Sequence, residues 1–236
     1  MTHPFEIELE TTCRRARSRS GRPSRPGRGS TSWFTGRNAV DPREGGVAAM
    51  DTGDNPAEAV ITAYEPGQRF ATRTTQGEDG RFMVFEYLIE GRDGGSTVLR
   101  VVHSGLLGDD WQDEYDALRR GRPFHLHTLR EYLAHFPGRT AVPVFAFAPS
   151  QGRSAQETRA TLTRGLSLPA PAAVGDRAHV EPAGLPPLDG DVVRTADAIY
   201  TFHHGPGTAL MFHHLFGPDT HGAEAAWQHW LTGLLS

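Results

Sequence analysis

Between Phe82 and Phe136 the hydrophobic positions change their period. In FMVFEYLIE, Met83, Phe85, Tyr87 and Ile89 recur at every second position and fall on one face of a strand. Leu99, Val101 and His103 do the same in TVLRVVH, and GRDGG between the two runs supplies a hairpin turn. After VVHSGLLGDDW the spacing turns helical, with Trp111, Tyr115 and Leu118 and then, beyond Pro123, Leu126, Leu129, Leu133 and Phe136. The pattern predicts a helix between Pro123 and Phe136 with one apolar face.

Upstream, Phe5, Ile7 and Leu9 alternate with Glu6, Glu8 and Glu10, as in a half-buried first strand. Strands are also predicted over Gly45 to Asp51, Glu58 to Tyr64 and Arg69 to Thr74, the last two joined by the turn Glu65-Pro66-Gly67-Gln68. Trp33 and Phe34 are expected to pack a short helix on the sheet, ended by Gly36. The result is an α+β domain with about six antiparallel strands in meander order. Its boundary falls at the Pro-Gly pair near residue 138, giving domains 1–138 and 139–236.

The second domain opens with the strand-like VPVFAFAP. Ser154 to Leu166 reads as a helix, with Ser154 as N-cap and Glu157 completing a capping box. A linker rich in Pro, Ala and Gly follows. Asp191 to His204 and Thr208 to Phe216 read as a hairpin around Gly205-Pro206-Gly207, and Ala223 to Leu235 as a closing amphipathic helix. This is a smaller α+β unit, read as an abbreviated, degenerate copy of the first.

A curved antiparallel sheet gripping a C-terminal helix is the plan of the START-like, or SRPBCC, superfamily. The stretch STVLRVVHSGLLGDDW resembles the branch similar to the C-terminal domain of the activator of the heat-shock ATPase, where a His-Ser-Gly-like turn leads into a Trp-bearing helix. Glu65-Pro66-Gly67 resembles that family's Trp/Tyr-Glu-Pro-Pro corner, with Gly67 in place of the second proline. The likeness spans Phe5 to Phe136, and its motifs are motifs of packing. It implies a helix-grip fold and a cavity between sheet and helix that holds an apolar small molecule, or a sheet face that meets a protein partner, in a stress-response setting. The same fold also carries cyclase/aromatase- and hydrolase-like enzymes, which use a pocket His or Tyr as acid and base.

One segment breaks this plan. TTCRRARSRSGRPSRPGRGST has almost no large apolar residue where the helix-grip plan needs a helix. A compensated frameshift in the coding sequence is one reading: shifting the frame from Thr12 permits VPASPEQVWEAIATGPGID. That peptide has a Ser N-cap, Pro at the first helical position and apolar residues at helical spacing, and it rejoins the chain at Ser32-Trp33-Phe34. It also looks like the family's first helix. The rival reading is a disordered basic arm that binds polyanions. On the frameshift reading the segment 12–31 is an irregular loop where a helix belongs.

Composition sharpens the contrast. All 24 basic residues are arginines, and seven of them, from Arg14 to Arg28, crowd this segment without one acid. The net charge is nevertheless -4, so the rest of the chain is acidic and a poor general nucleic-acid binder. With 236 residues and 37% hydrophobic content the chain can bury a real core. No apolar run is long enough to cross a membrane, MTHPFEIELE does not read as a signal peptide, and the single cysteine, Cys13, cannot form an internal disulfide. A soluble cytoplasmic protein is expected.

Twelve histidines raise the question of a metal. Around the predicted turn His204 would face Thr208, His203 would face Ala209 and His213 would lie near Ile199, so the two His-His pairs sit several rungs apart. Adjacent histidines also point to opposite faces of a strand. His125 and His127 diverge on a helix. Asp109, Asp110, Asp113, Glu114 and Asp116 read as the cap and solvated start of a helix. The chain has no nucleophile elbow, Walker loop, Rossmann glycine pattern or His-Glu-x-x-His motif. No catalytic residue, metal or cofactor is expected. The ligand site is instead expected where Trp33, Phe85, Tyr87, His103, Trp111, Tyr115 and His127 converge.

Overall fold

Strand alternation decides most of the first half of the chain. The computed structural model describes residues 1–14, 30–52, 56–92, 96–168, 177–180, 188–191, 197–205, 208–218 and 220–236. These form two units, Met1–Arg139 and Thr140–Ser236.

Among its described residues the first unit has an antiparallel sheet and a long helix. Its strands are β1 (His3–Arg14), β2 (Arg37–Val40), β3 (Val47–Asp51), β4 (Ala57–Glu65), β5 (Arg69–Thr74), β6 (Phe82–Arg92) and β7 (Ser96–Leu107). From β2 to β7 each strand pairs with the next, and β1 returns to pair with β7, giving the order β1-β7-β6-β5-β4-β3-β2. The sheet therefore has seven strands rather than about six. The addition is β2, four residues long with only Val40 as a large apolar side chain, too short and polar to show a period. The strand expected from Gly45 begins at Val47, because Gly45 takes φ 76° and Gly45-Gly46 instead bonds across to Ile61. Thr12–Arg14, assigned above to an irregular segment, continue β1 opposite Val98, Thr97 and Ser96. The Arg-rich run beyond them, and with it both readings of residues 12–31, lies largely outside the described residues.

The helix α1 runs over Trp111–His135, not only from Pro123 onward. A proline inside a helix removes one hydrogen bond and costs about 3 kcal/mol. Here the apolar stripe continues through it. Trp111, Tyr115 and Leu118 pack on a core of Phe5, Ile7 and Leu107, while Leu126 and Leu129 are buried further along. Tertiary burial at about 1.5 to 3 kcal/mol per large side chain outweighs the local penalty. Asp110 precedes the helix without a side-chain capping bond, whereas Asp113 and Glu114 do occupy its first turn.

Trp33 and Phe34 follow a helical start at residues 30–31, and the Phe34 amide donates to the Ser30 carbonyl at 2.8 Å before the chain turns through 32–36. Gly36 sits at φ 72°, and a Cβ there would lie 2.5 Å from the Asp51 carbonyl oxygen, so only glycine fits. The buried Ser32 donates to the Arg139 carbonyl, which also accepts from the Tyr132 hydroxyl, tying this turn to the end of α1.

In the second unit, β8 (Val142–Pro149) leads into α2 (Ala155–Gly165). Ser154 and Glu157 form the predicted capping box in both directions. Strands β9 (Arg177–Val180) and β10 (Leu188–Asp191) pair with each other. Of the long strand expected from Asp191 to His204, the described residues show Asp191 ending β10, then β11 (Ala198–Ile199) and β12 (Phe202–Gly205), with Tyr200 and Thr201 between the last two outside any strand. Both β11 and β12 pair with β13 (Thr208–Leu215), whose other side carries β8. Register is one residue off the expectation: Gly205 faces Thr208, His204 faces Ala209, His203 faces Leu210 and His214 faces Ile199. The closing helix α3 (Ala223–Leu235) buries Trp227, Leu231 and Leu235 against this sheet. On the sheet's β8 side, Gln228 accepts from the Phe147 amide at 3.1 Å and donates to the Phe147 carbonyl at 2.7 Å. Glu224 accepts from the Phe145 amide at 3.3 Å.

Among the described residues no helix is long and apolar enough to cross a membrane, and no group of three or more His, Cys, Asp or Glu side chains could hold a metal ion.

Candidate functional site

Register places the site. Phe85 on β6 lies opposite His103 on β7, and Tyr87 opposite Val101. Across β7, His103 pairs with Ile7 and Val101 with Leu9 on β1. These residues share one face of the sheet, with α1 above it. The cleft between them is lined by Leu9, Val101, Phe85 and Tyr87 from the sheet and by Arg122, His125 and Leu126 from α1. Trp33 and Phe34 close it from the Ser30–Gly36 turn, Trp33 lying edge-on to Tyr87 at 6.4 Å and Phe34 against His125 at 4.6 Å. The enclosed space is about 10 Å³, room for one water.

Behind the cleft stands a polar pair in an apolar setting. The His103 ring stacks on Phe85 at 4.0 Å and meets the edge of Phe5 at 4.9 Å. Only 1% of the residue is exposed. Arg122 donates from Nε to His103 Nδ1 at 3.1 Å, and its guanidinium carbon sits 4.7 Å from the Phe85 ring centre, a cation–π distance. Burial, helped by the Arg122 charge, drives the His103 pKa down to about 3. Burial also pushes Tyr87 up to about 12 against the pull of Arg122, and lowers Arg122 itself. At neutral pH the imidazole and the phenol are both uncharged, and Arg122 is the cation of the site.

Of the seven residues expected to converge, Trp33, Phe85 and Tyr87 line the cleft, and His103 stacks directly behind Phe85. Tyr115 and Trp111 pack instead with Phe5, Ile7 and Leu107 about two and three helical turns nearer the start of α1, where Trp111 also stacks on His3 at 5.3 Å. His127, half-buried, is not part of the lining. Arg122 is the residue that pattern reading missed. The signal was present: it lies four residues from both Leu118 and Leu126, a charge set within the apolar stripe. Its neighbours Arg119, Gly121 and Pro123 disguise it as a polar break.

No protein-family model matches the chain, and no curated protein matches it in sequence. Solved structures do resemble it in fold. A Mesorhizobium loti protein is 18% identical over 56% of this chain and 98% of its own, with a TM-score of 0.43. The Aha1 dimer from Colwellia psychrerythraea is 13% identical over 57% of this chain and 99% of its own, at 0.44. Norcoclaurine synthase from Thalictrum flavum is 9% identical over 57% of this chain and 85% of its own, at 0.35. The first unit is a helix-grip fold. That assignment stands on the chain's own sheet order and on the helix lying across the sheet.

Proposed function

We propose that the cleft of the first unit is a binding site for an apolar small molecule, in a protein that carries out no acid–base chemistry there. The observation that carries this reading is the lining itself: apolar side chains and aromatic rings, with one cation and no carboxylate. An enzyme of the cyclase or hydrolase kind would need His103 or Tyr87 to exchange a proton near neutral pH. With their pKa values displaced to about 3 and about 12, neither is poised to do so.

A ligand larger than water requires the cleft to widen. Trp33 and Phe34 are the lining residues carried by neither the sheet nor α1, so they are the ones that yield at least cost. Titration of the full chain with the uncharged fluorophore Nile red tests the reading. Saturable emission gain that is lost in Leu126→Trp, a variant filling the cleft, is the expected result. Failure to saturate, or binding that survives the filled cleft in a protein of unchanged fold, overturns it.

A further inference from the structure

Arg122 raises a question that packing alone does not answer. Arg122 is half-buried, and a cation partly withdrawn from water is ordinarily paired, because desolvating an ion is costly unless an opposite charge and hydrogen bonds offset it. Among the described residues no carboxylate pairs with Arg122. Of its five N–H donors, the one on Nε is used by a neutral imidazole, and the ring face of Phe85 supplies the other compensation. The four donors on the two terminal nitrogens have no acceptor among the described residues. Those two nitrogens form the planar fork that matches a carboxylate.

Resting on the binding reading above, we propose that the ligand is an amphipathic carboxylate, its head held bidentately by Arg122 and its apolar body among Trp33, Phe34, Phe85 and Tyr87. The charge count favours a carboxylate over a phosphate ester. One permanent cation neutralises a single negative charge, and His125 is the only other titratable side chain of the lining besides Tyr87. The His103 bond holds Nε and so restrains the guanidinium plane, while the terminal nitrogens keep their donors for a head group.

Calorimetric titration of the full chain at neutral pH with phenylacetate and with phenethyl alcohol separates the head group from the apolar body. Phenylacetate is expected to bind about ten- to a hundredfold more tightly, the worth of a charge-assisted hydrogen-bonded pair. Arg122→Gln should bring phenylacetate down to the affinity of the alcohol. Arg122→Lys, which keeps the charge without the fork, should fall between, and it carries the test alone if the glutamine variant does not fold. Equal affinities in the unaltered protein overturn the carboxylate and leave the apolar cleft standing. Nile red binding without phenylacetate binding has the same meaning, whereas loss of both probes defeats the cleft as well. A preference for phenylacetate that persists in both Arg122 variants also overturns the proposal.

Discussion

Arg122 donates from Nε to Nδ1 of His103, and this one bond decides where the imidazole proton resides. A neutral ring that accepts at Nδ1 must carry its hydrogen on Nε2. That nitrogen is buried with no hydrogen-bond partner among the described residues. Protonating the ring would remove the acceptor and set two positive charges side by side in an apolar layer.

Acid should therefore find this pair first. The folded His103 titrates near 3 and the unfolded residue near 6.5, so between those values the unfolded chain takes up a proton that the folded chain refuses. Its contribution to stability is complete above about 6.5 and is lost progressively as pH falls toward about 3. Melting curves across this range should show a steep descent in the unaltered protein. His103→Asn, which offers Arg122 an acceptor but cannot titrate, should start lower at neutral pH and descend less. Parallel descents would assign the acid sensitivity to other groups.

Phe85 is contacted by both members of that pair, by His103 through stacking and by Arg122 through its charge. Phe85→Leu keeps apolar bulk and removes the ring, with an expected loss of about 1 to 3 kcal/mol in urea unfolding. In a double-mutant cycle with Arg122→Met the double variant should lose less than the sum of the two single losses, since each removes the same contact. Strict additivity would mean that the guanidinium gains nothing from the ring.

The glycine of His103-Ser104-Gly105, which lies within β7 rather than at a turn, has a steric reason. Gly105 adopts φ 153°, and a Cβ there would come 2.1 Å from the Phe82 carbonyl oxygen on the paired strand. No rotamer change relieves a clash with backbone. Gly105→Ala is expected to cost more than about 2 kcal/mol, among the larger effects of single substitutions. A loss within about 0.5 kcal/mol, the range of ordinary surface changes, would contradict this account.

In the second unit, Ser154→Ala removes the acceptor for the Glu157 amide and should cost about 1 kcal/mol, read as a lower melting temperature. Ser154→Asp should restore most of that loss. If aspartate does no better than alanine, the cap is not what holds the start of α2.

What the sequence made legible was whatever a period writes down. β5, β6, α2 and α3 could be read because alternation, helical spacing or a capping box repeats over many residues. β2 could not, because four residues with one large apolar side chain have no period to detect. Pro123 hid the continuity of α1, since the helical spacing of Trp111, Tyr115 and Leu118 was legible but their packing on Phe5 and Ile7, which carries the helix through the proline, is not local. The site followed the same division. Trp33, Phe85 and Tyr87 were recognisable as inward rings, but Tyr115 and Trp111, on the same helical stripe, lie about two and three turns from the cleft, a distance along the axis that face assignment ignores. Arg122 was hidden because charge is ordinarily read as solvated.

The bonds from Gln228 and Glu224 to β8 give α3 a second task. Side chains on the helix take the place of a neighbouring strand's backbone, so the outward rim of the sheet is already occupied where Phe145 and Phe147 would otherwise offer free amides. Trp227 stands next to Gln228 in the chain and is buried in the core, so this cover cannot lift without drawing an indole out of its pocket. For an incoming strand the toll is thus the undocking of Trp227, Leu231 and Leu235, and the energy that folds the unit is the same energy that keeps it from growing into a fibre.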